Sequence, residues 1–335
     1  MSELNKNNQT IPFDLIRPKV PVGCHPIEQG DYILDTIAIN ELSEQIIKWV
    51  KMRYPGAIVY GPPRLGKTFA TRYLKKLYEM KYSNEWFTCL ISSRKIKTSN
   101  EDRFFKFMLK DLNDEFYENG KADAKRERIF NLLLDKGQQT KRNQIVLFYD
   151  DAQRLGEDEY EWLMDIYNEL QSKGITLTTI LVGQQELAHR RNTYITTKKQ
   201  IVGRFMIHEQ EFHGIRDVEE LEFLMAGYDS VSEYPKKSGW SYTRFFFPDS
   251  FDEGMRLENV ANVLWNNFEI IRAEYGLKKN QELPMHYVIA IINFVLLQYG
   301  ANGENVKWPT SQIWREGIIE CGYVAAELIH ESIGK

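Results

Sequence analysis

The chain reads as an α/β protein, a parallel sheet flanked by helices, followed by a helical lid. Up to about residue 215, short apolar runs alternate with stretches of helical periodicity. That rhythm belongs to buried strands that cross over through helices covering both faces of a sheet. Past Arg216 the apolar runs fade and helical spacing alone remains.

Residues 1–35 are rich in Asn, Pro and Gly without periodicity, and read as an extended arm. From Thr36 to Lys51 apolar residues recur at helical spacing (Ile39, Leu42, Ile46, Ile47, Val50). Pro55 and Gly56 break that pattern, and Ala57–Tyr60 is a short strand. A helix over Phe69–Met80, a strand over Trp86–Ile91 and a helix over Phe104–Tyr117 come next. Ile129–Leu134 closes another helix, Lys136–Asn143 is a polar turn, and Ile145–Tyr149 is the clearest buried strand. A helix over Tyr160–Ser172 precedes a strand over Thr178–Val182. The α/β domain therefore takes residues 36–215 and the lid residues 216–335, with helices over Val218–Ala226, Leu257–Tyr275, Met285–Tyr299 and Ser311–Ile333. The aromatic stretch Trp240–Phe247 has two readings, a docking surface for a partner or packing within the lid itself.

Composition narrows the classes. The 335 residues are 43% hydrophobic and 27% charged, ordinary for a globular protein, and no apolar run reaches the ~18 residues a membrane span requires. The polar start MSELNKNNQT lacks the apolar core of a signal peptide, and Cys24, Cys89 and Cys321 are too scattered for a metal site. A cytoplasmic protein without a membrane partner is expected. A formal charge of −4 argues against a surface that coats nucleic acid throughout, and leaves room for a local basic face.

The chemistry is concentrated in four segments. Gly61-Pro62-Pro63-Arg64-Leu65-Gly66-Lys67-Thr68 fits G-x-x-x-x-G-K-[ST] between a strand and a helix. Glycines let the main chain curl so that its N–H groups converge on phosphates, beside the positive end of the following helix. This cradle, continued by Phe69, is the expected ATP site, with Lys67 on the β- and γ-phosphates and the Thr68 hydroxyl on Mg²⁺. The strand Ile145–Tyr149 then delivers Asp150 towards the metal and Asp151 to the place of a general base for water. Gln184 ends the next strand as a candidate γ-phosphate sensor, with Gln185 its rival. Arg204, in QIVGRF, stands where a guanidinium reaches a neighbouring subunit's γ-phosphate, which implies a homo-oligomer.

The series GPPRLGKT, IVLFYDDAQRL, ILVGQQEL and QIVGRF resembles the TnsC/TniB family of AAA+ transposition regulators, relatives of the MuB and IstB proteins, over about residues 36–225. The resemblance implies an ATP- and Mg²⁺-dependent ATPase that assembles on duplex DNA as a ring or helical filament. It further implies a DDE transposase and a TniQ-type targeting protein as partners. By position it makes Lys67 and Thr68 nucleotide ligands, Asp150 the metal aspartate and Arg204 the finger acting in trans. Where the family has Glu, this chain has Asp151, one methylene shorter, which implies slow or partner-dependent hydrolysis. Secretion ATPases of the ExeA type share part of the pattern, and a structural nucleotide-binding module of a defence complex is a third class. Two basic clusters are candidate DNA contacts: Arg94, Lys95 and Lys97, and then Arg190, Arg191, Lys198 and Lys199 around a Thr-rich loop, Asn192–Thr197. Arg244 and Arg256 are candidates for a second sensor in the lid.

Overall fold

The computed structural model describes residues 16–95, 98–277 and 282–333. They form two compact units: Ala38–Gly214, and Ile215 onward together with the described residues up to Ile37.

In chain order the elements are α1 (Pro26–Gln29), α2 (Ile37–Lys51), β1 (Gly56–Tyr60), α3 (Lys67–Lys81), β2 (Phe87–Ser92), α4 (Glu101–Asp111), α5 (Ala122–Gln138) and β3 (Gln144–Asp150). Then follow α6 (Glu157–Ser172), β4 (Thr176–Gly183), α7 (Gln185–Thr197), α8 (Lys199–Ile201) and β5 (His208–Glu211). The second unit adds α9 (Val218–Ala226), α10 (Tyr242–Phe246), α11 (Pro248–Asp252), α12 (Ala261–Glu274), α13 (Met285–Tyr299), α14 (Ser311–Glu320) and α15 (Tyr323–Ile333).

The five strands make one parallel sheet in the order β2-β3-β4-β1-β5. Side chains alternate across it. Ile145, Leu147 and Tyr149 join the core beneath α4, α5 and α6, whereas Val146 and Phe148 join the core beneath α2 and α3. All seven residues of β3 are buried, as expected of a central strand covered on both faces. The register sets Tyr60 beside Gly183, Tyr149 beside Leu181 and Ser92 beside Asp150. The carboxyl end of the sheet therefore presents the residues that follow β1, β2, β3 and β4 together, the crevice in which open parallel sheets bind ligands.

Several elements differ from the sequence expectation. β5 reads His-Glu-Gln-Glu, and its position at the sheet edge buries only alternate residues partly, so no apolar run marks it. The expected turn Lys136–Asn143 begins as helix, since α5 runs to Gln138. The helix predicted to Tyr117 stops at Asp111, where Asn113 takes a positive φ of 61°. The single helix expected over Ser311–Ile333 is two, divided at Cys321 and Gly322, where φ is +76°.

The second unit is helical around its own core. The Trp240–Phe247 aromatics lie inside it: Trp240, Phe245, Phe246 and Phe247 are each 2% exposed or less, which removes the docking-surface reading. The described part of the arm packs on this unit as well. Arg17 Nε donates to the Phe245 carbonyl at 2.7 Å and its guanidinium lies 4.2 Å over the Phe245 ring. His25, fully buried, sits among Tyr234, Tyr242, Phe245 and Phe246. Its Nδ1 accepts from Ile27 N–H at 3.2 Å to cap α1, which leaves the ring proton on Nε2.

Candidate nucleotide site

The phosphate loop leaves β1 at Gly61, and a side chain there is sterically impossible without movement: a Cβ would stand 2.3 Å from the Phe212 carbonyl oxygen. Leu65, 2% exposed, plugs the loop into the core beneath α2 and α3. Arg64 (φ 67°) and Gly66 (φ 101°) turn the main chain through left-handed conformations, and α3 begins at Lys67 with no side chain capping it. The start of a helix is a favourable place for an anion. Lys67 Nζ is held over the loop by the carbonyls of Gly61 (2.8 Å) and Pro62 (2.5 Å). Pro62, Pro63, Arg64 and Phe69 are exposed on its outside.

β3 brings Asp150 to this loop. The residue is 8% exposed, and its carboxylate accepts from Asp151 N–H at 3.0 Å and from the Thr68 hydroxyl at the start of α3. Burial raises its pKa, opposed by the Thr68 and Asp151 hydrogen bonds and by the charge of Arg72. A hydroxyl and a buried carboxylate side by side are an oxygen-only donor pair, which suits a hard divalent cation such as Mg²⁺. Among the described residues no cluster of three or more His, Cys, Asp or Glu offers a different metal site.

Asp151 takes a left-handed conformation (φ 55°, ψ 35°) and starts a 3₁₀ turn over Ala152–Arg154. Its Oδ1 accepts from Gln153 Nε2 at 3.1 Å and its Oδ2 pairs with Arg154 Nη2 at 3.0 Å. Gln184 caps α7 through its main chain, and its N–H is bonded to Gln153 Oε1 at 3.2 Å. Gln185 is exposed on the first turn of α7. Gln153 is thus a site residue that the sequence reading did not single out. Its signal, a glutamine two positions after the second aspartate, is legible only once β3 and β4 are known to be neighbours.

Arg204 lies on a π-helical turn, Val202–Met206, with its guanidinium 4.5 Å over the Tyr167 ring. Its carbonyl packs 3.0 Å from where a Gly56 Cβ would stand, at the start of β1. The phosphate loop leaves the other end of that strand, four residue steps or roughly 13 Å away. Arg204 is not part of its own chain's phosphate site.

The basic candidates fare differently from expectation. The Thr-rich segment is not a loop but the last half of α7. Arg190 is spent within the chain, donating to the Gln153 carbonyl at 2.9 Å and to the Leu155 carbonyl. Arg191 donates to the Met206 carbonyl at 2.7 Å and faces Glu209, and Lys198 pairs with Glu157. Arg94 pairs with Asp111 at 2.7 Å and stacks on Phe107. Lys95 and Lys199 are exposed, and Lys97 lies outside the described residues. In the second unit, Arg244 pairs with Asp252 and Arg256 covers the Phe251 ring, so both guanidiniums are used locally. No helix among the described residues is long and apolar enough to cross a membrane. The three thiols are unbridged, and burial pushes those of Cys89 and Cys321 up to about 12 and about 11.

Residues 53–190 match the family model described as AAA domain. The fold is that of an AAA+ P-loop protein. Its likeness extends to solved structures. The Aeropyrum pernix ORC2 protein in its ADP form superposes with a TM-score of 0.55 at 12% identity, over 87% of this chain and 70% of that one. The Aeropyrum pernix ORC1 protein in complex with DNA gives 0.53 at 11% identity, over 88% and 68%. A Walker-type ATPase of Pyrococcus abyssi gives 0.51 at 17% identity, over 90% and 75%. No curated protein matches the chain significantly.

Proposed function

We propose that this AAA+ chain is a Mg²⁺-dependent ATPase that works as a switch on duplex DNA. In the ATP state it assembles as a homo-oligomer, a ring or helical filament, and passes a target site to a DDE transposase, with a TniQ-type protein choosing the site. The observation that carries the ATPase reading is the meeting of Thr68 with Asp150 beside Lys67 and a glycine-turned loop. The transposition reading rests on the motif series from GPPRLGKT to QIVGRF. DNA binding draws further support from the solved ORC1 relative, described as a complex with DNA.

The residues divide the work. Main-chain N–H groups of the loop and the Lys67 ammonium hold the β- and γ-phosphates. Mg²⁺, bound by Thr68 and Asp150, would neutralise charge on the phosphate oxygens. Asp151 takes a proton from water as its oxygen bonds to the γ-phosphorus and the bond to the ADP oxygen breaks. Both Asp151 oxygens are engaged by neighbours, and this favours a second reading in which nucleotide locks an assembly and turnover is slow.

Affinity for ATP with Mg²⁺, followed by electron microscopy with duplex DNA and a nonhydrolysable analogue, tests the proposal. Nucleotide-dependent oligomers on DNA, weakened steeply by salt and lost in Lys67→Ala, are expected. A protein without affinity for adenine nucleotides refutes the ATPase reading, and one that binds ATP but never DNA refutes the switch. Turnover so slow that oligomers persist unchanged in ATP favours the lock.

A further inference from the structure

Gln153 joins the candidate base to the candidate sensor through a single amide. Its Nε2 donates to Asp151 Oδ1 at 3.1 Å, and its Oε1 accepts from Gln184 N–H at 3.2 Å. A carboxylate offers only lone pairs and a main-chain N–H only a proton, so one orientation of the amide satisfies both. The surroundings are built for that orientation. A Cβ on Gly183 would stand 2.7 Å from Gln153 Oε1 and 3.2 Å from Gln153 N, so glycine at the end of β4 makes room for the amide. Arg190 grips the carbonyls of Gln153 and Leu155 and fixes the turn from which Gln153 projects.

We propose that Gln153 is a positioning residue for ATP hydrolysis, holding the Asp151 carboxylate in fixed relation to the β4–α7 junction. The inference rests on Asp151 being the base. The two partners of Asp151 are unequal. Arg154 has 43% of its side chain exposed and also donates to the Ser93 carbonyl at 3.2 Å, and its exposed ion pair with Asp151 contributes only ~0–1 kcal/mol. Gln153 is tied at both ends of its amide and at its own carbonyl, so it orients Asp151 independently of the exposed ion pair. A base displaced by even 1 Å loses up to about a hundredfold in rate, which is the scale of effect at stake.

The test uses the full chain with Mg²⁺ and ATP, reading kcat and KM, affinity for a fluorescent ATP analogue, and thermal melting. Gln153→Glu keeps an acceptor for Gln184 N–H, and so the anchor of the turn, but presents no donor to Asp151. Gln153→Ala removes both contacts. Both variants should lose about tenfold to a hundredfold in kcat with analogue affinity within about twofold of wild type. A Gln153→Glu variant with wild-type kcat overturns the inference, because Gln153 then merely pins the turn. Asp151→Asn separates the two levels. If it is inactive while Gln153→Glu is normal, positioning alone fails; if it hydrolyses ATP at the wild-type rate, Asp151 is not the base and both fail.

Discussion

Asp151 is one methylene shorter than the glutamate that the motif resemblance implies at this position, and its backbone supplies a reason. At φ 55° the residue is in the left-handed region, which Asp tolerates better than longer side chains because its short carboxylate bonds locally. It does so here, to Gln153. Reach is therefore not its only constraint, and Asp151→Glu should not raise turnover. It should cost on the order of 1 kcal/mol, about 3 °C in melting temperature for a unit of this size. A faster enzyme with unchanged melting would refute this. A second residue carries a pH dependence. Burial lowers the His25 pKa from 6.5 to about 4, with Glu28 opposing and Arg17 reinforcing the shift. The folded state thus disfavours the protonated ring. Stability from neutral His25 is complete above pH 6.5, falls as the unfolded chain takes up its proton, and levels off near pH 4. The loss is at most roughly 3 kcal/mol. Urea midpoints at pH 7.5 and 5 should differ in wild type and converge in His25→Phe.

Among the elements, those built on apolar alternation were legible and those built on tertiary context were not. β3 announces itself because all its residues are buried and apolar except at the ends, and the phosphate loop because its glycines and Lys67 have fixed spacing. β5 does not, since an edge strand can be HEQE when its main chain pairs with β1. The basic clusters were only partly legible for a related reason. Charge along the sequence does not reveal whether a guanidinium faces solvent or a carbonyl, and Arg190 faces two carbonyls of the turn after β3. Removing it leaves them without their donor, a loss of about 1–3 kcal/mol. Arg190→Ala should therefore melt earlier and hydrolyse ATP more slowly, while its DNA affinity per folded molecule and the salt slope stay at wild-type values. A salt slope reduced by about one unit would instead restore Arg190 as a phosphate contact.

For the molecule as a whole, the proposed role of Arg204 bears on whether one chain is a complete enzyme. Its backbone packs at the start of β1 and the phosphate loop leaves the end, farther than an extended arginine reaches. Arg204 is half-buried with its guanidinium over the buried Tyr167 ring, a contact contributing about 0.5–2 kcal/mol, which does not account for the ~10³-fold loss typical of an arginine acting on a γ-phosphate. If Arg204 serves a neighbour, the contact between subunits is head-to-tail, and each site takes its loop from one chain and its arginine from the next. Arg204→Ala and Asp151→Asn should then each be inactive alone. Mixed in equal amounts and allowed to exchange, they place an intact Asp151 against an intact Arg204 in roughly one interface in four. ATPase activity should return towards that fraction of wild type and vanish on dilution to monomers. Inactive mixtures, with co-assembly confirmed by size, would show that Arg204 does not act across the interface.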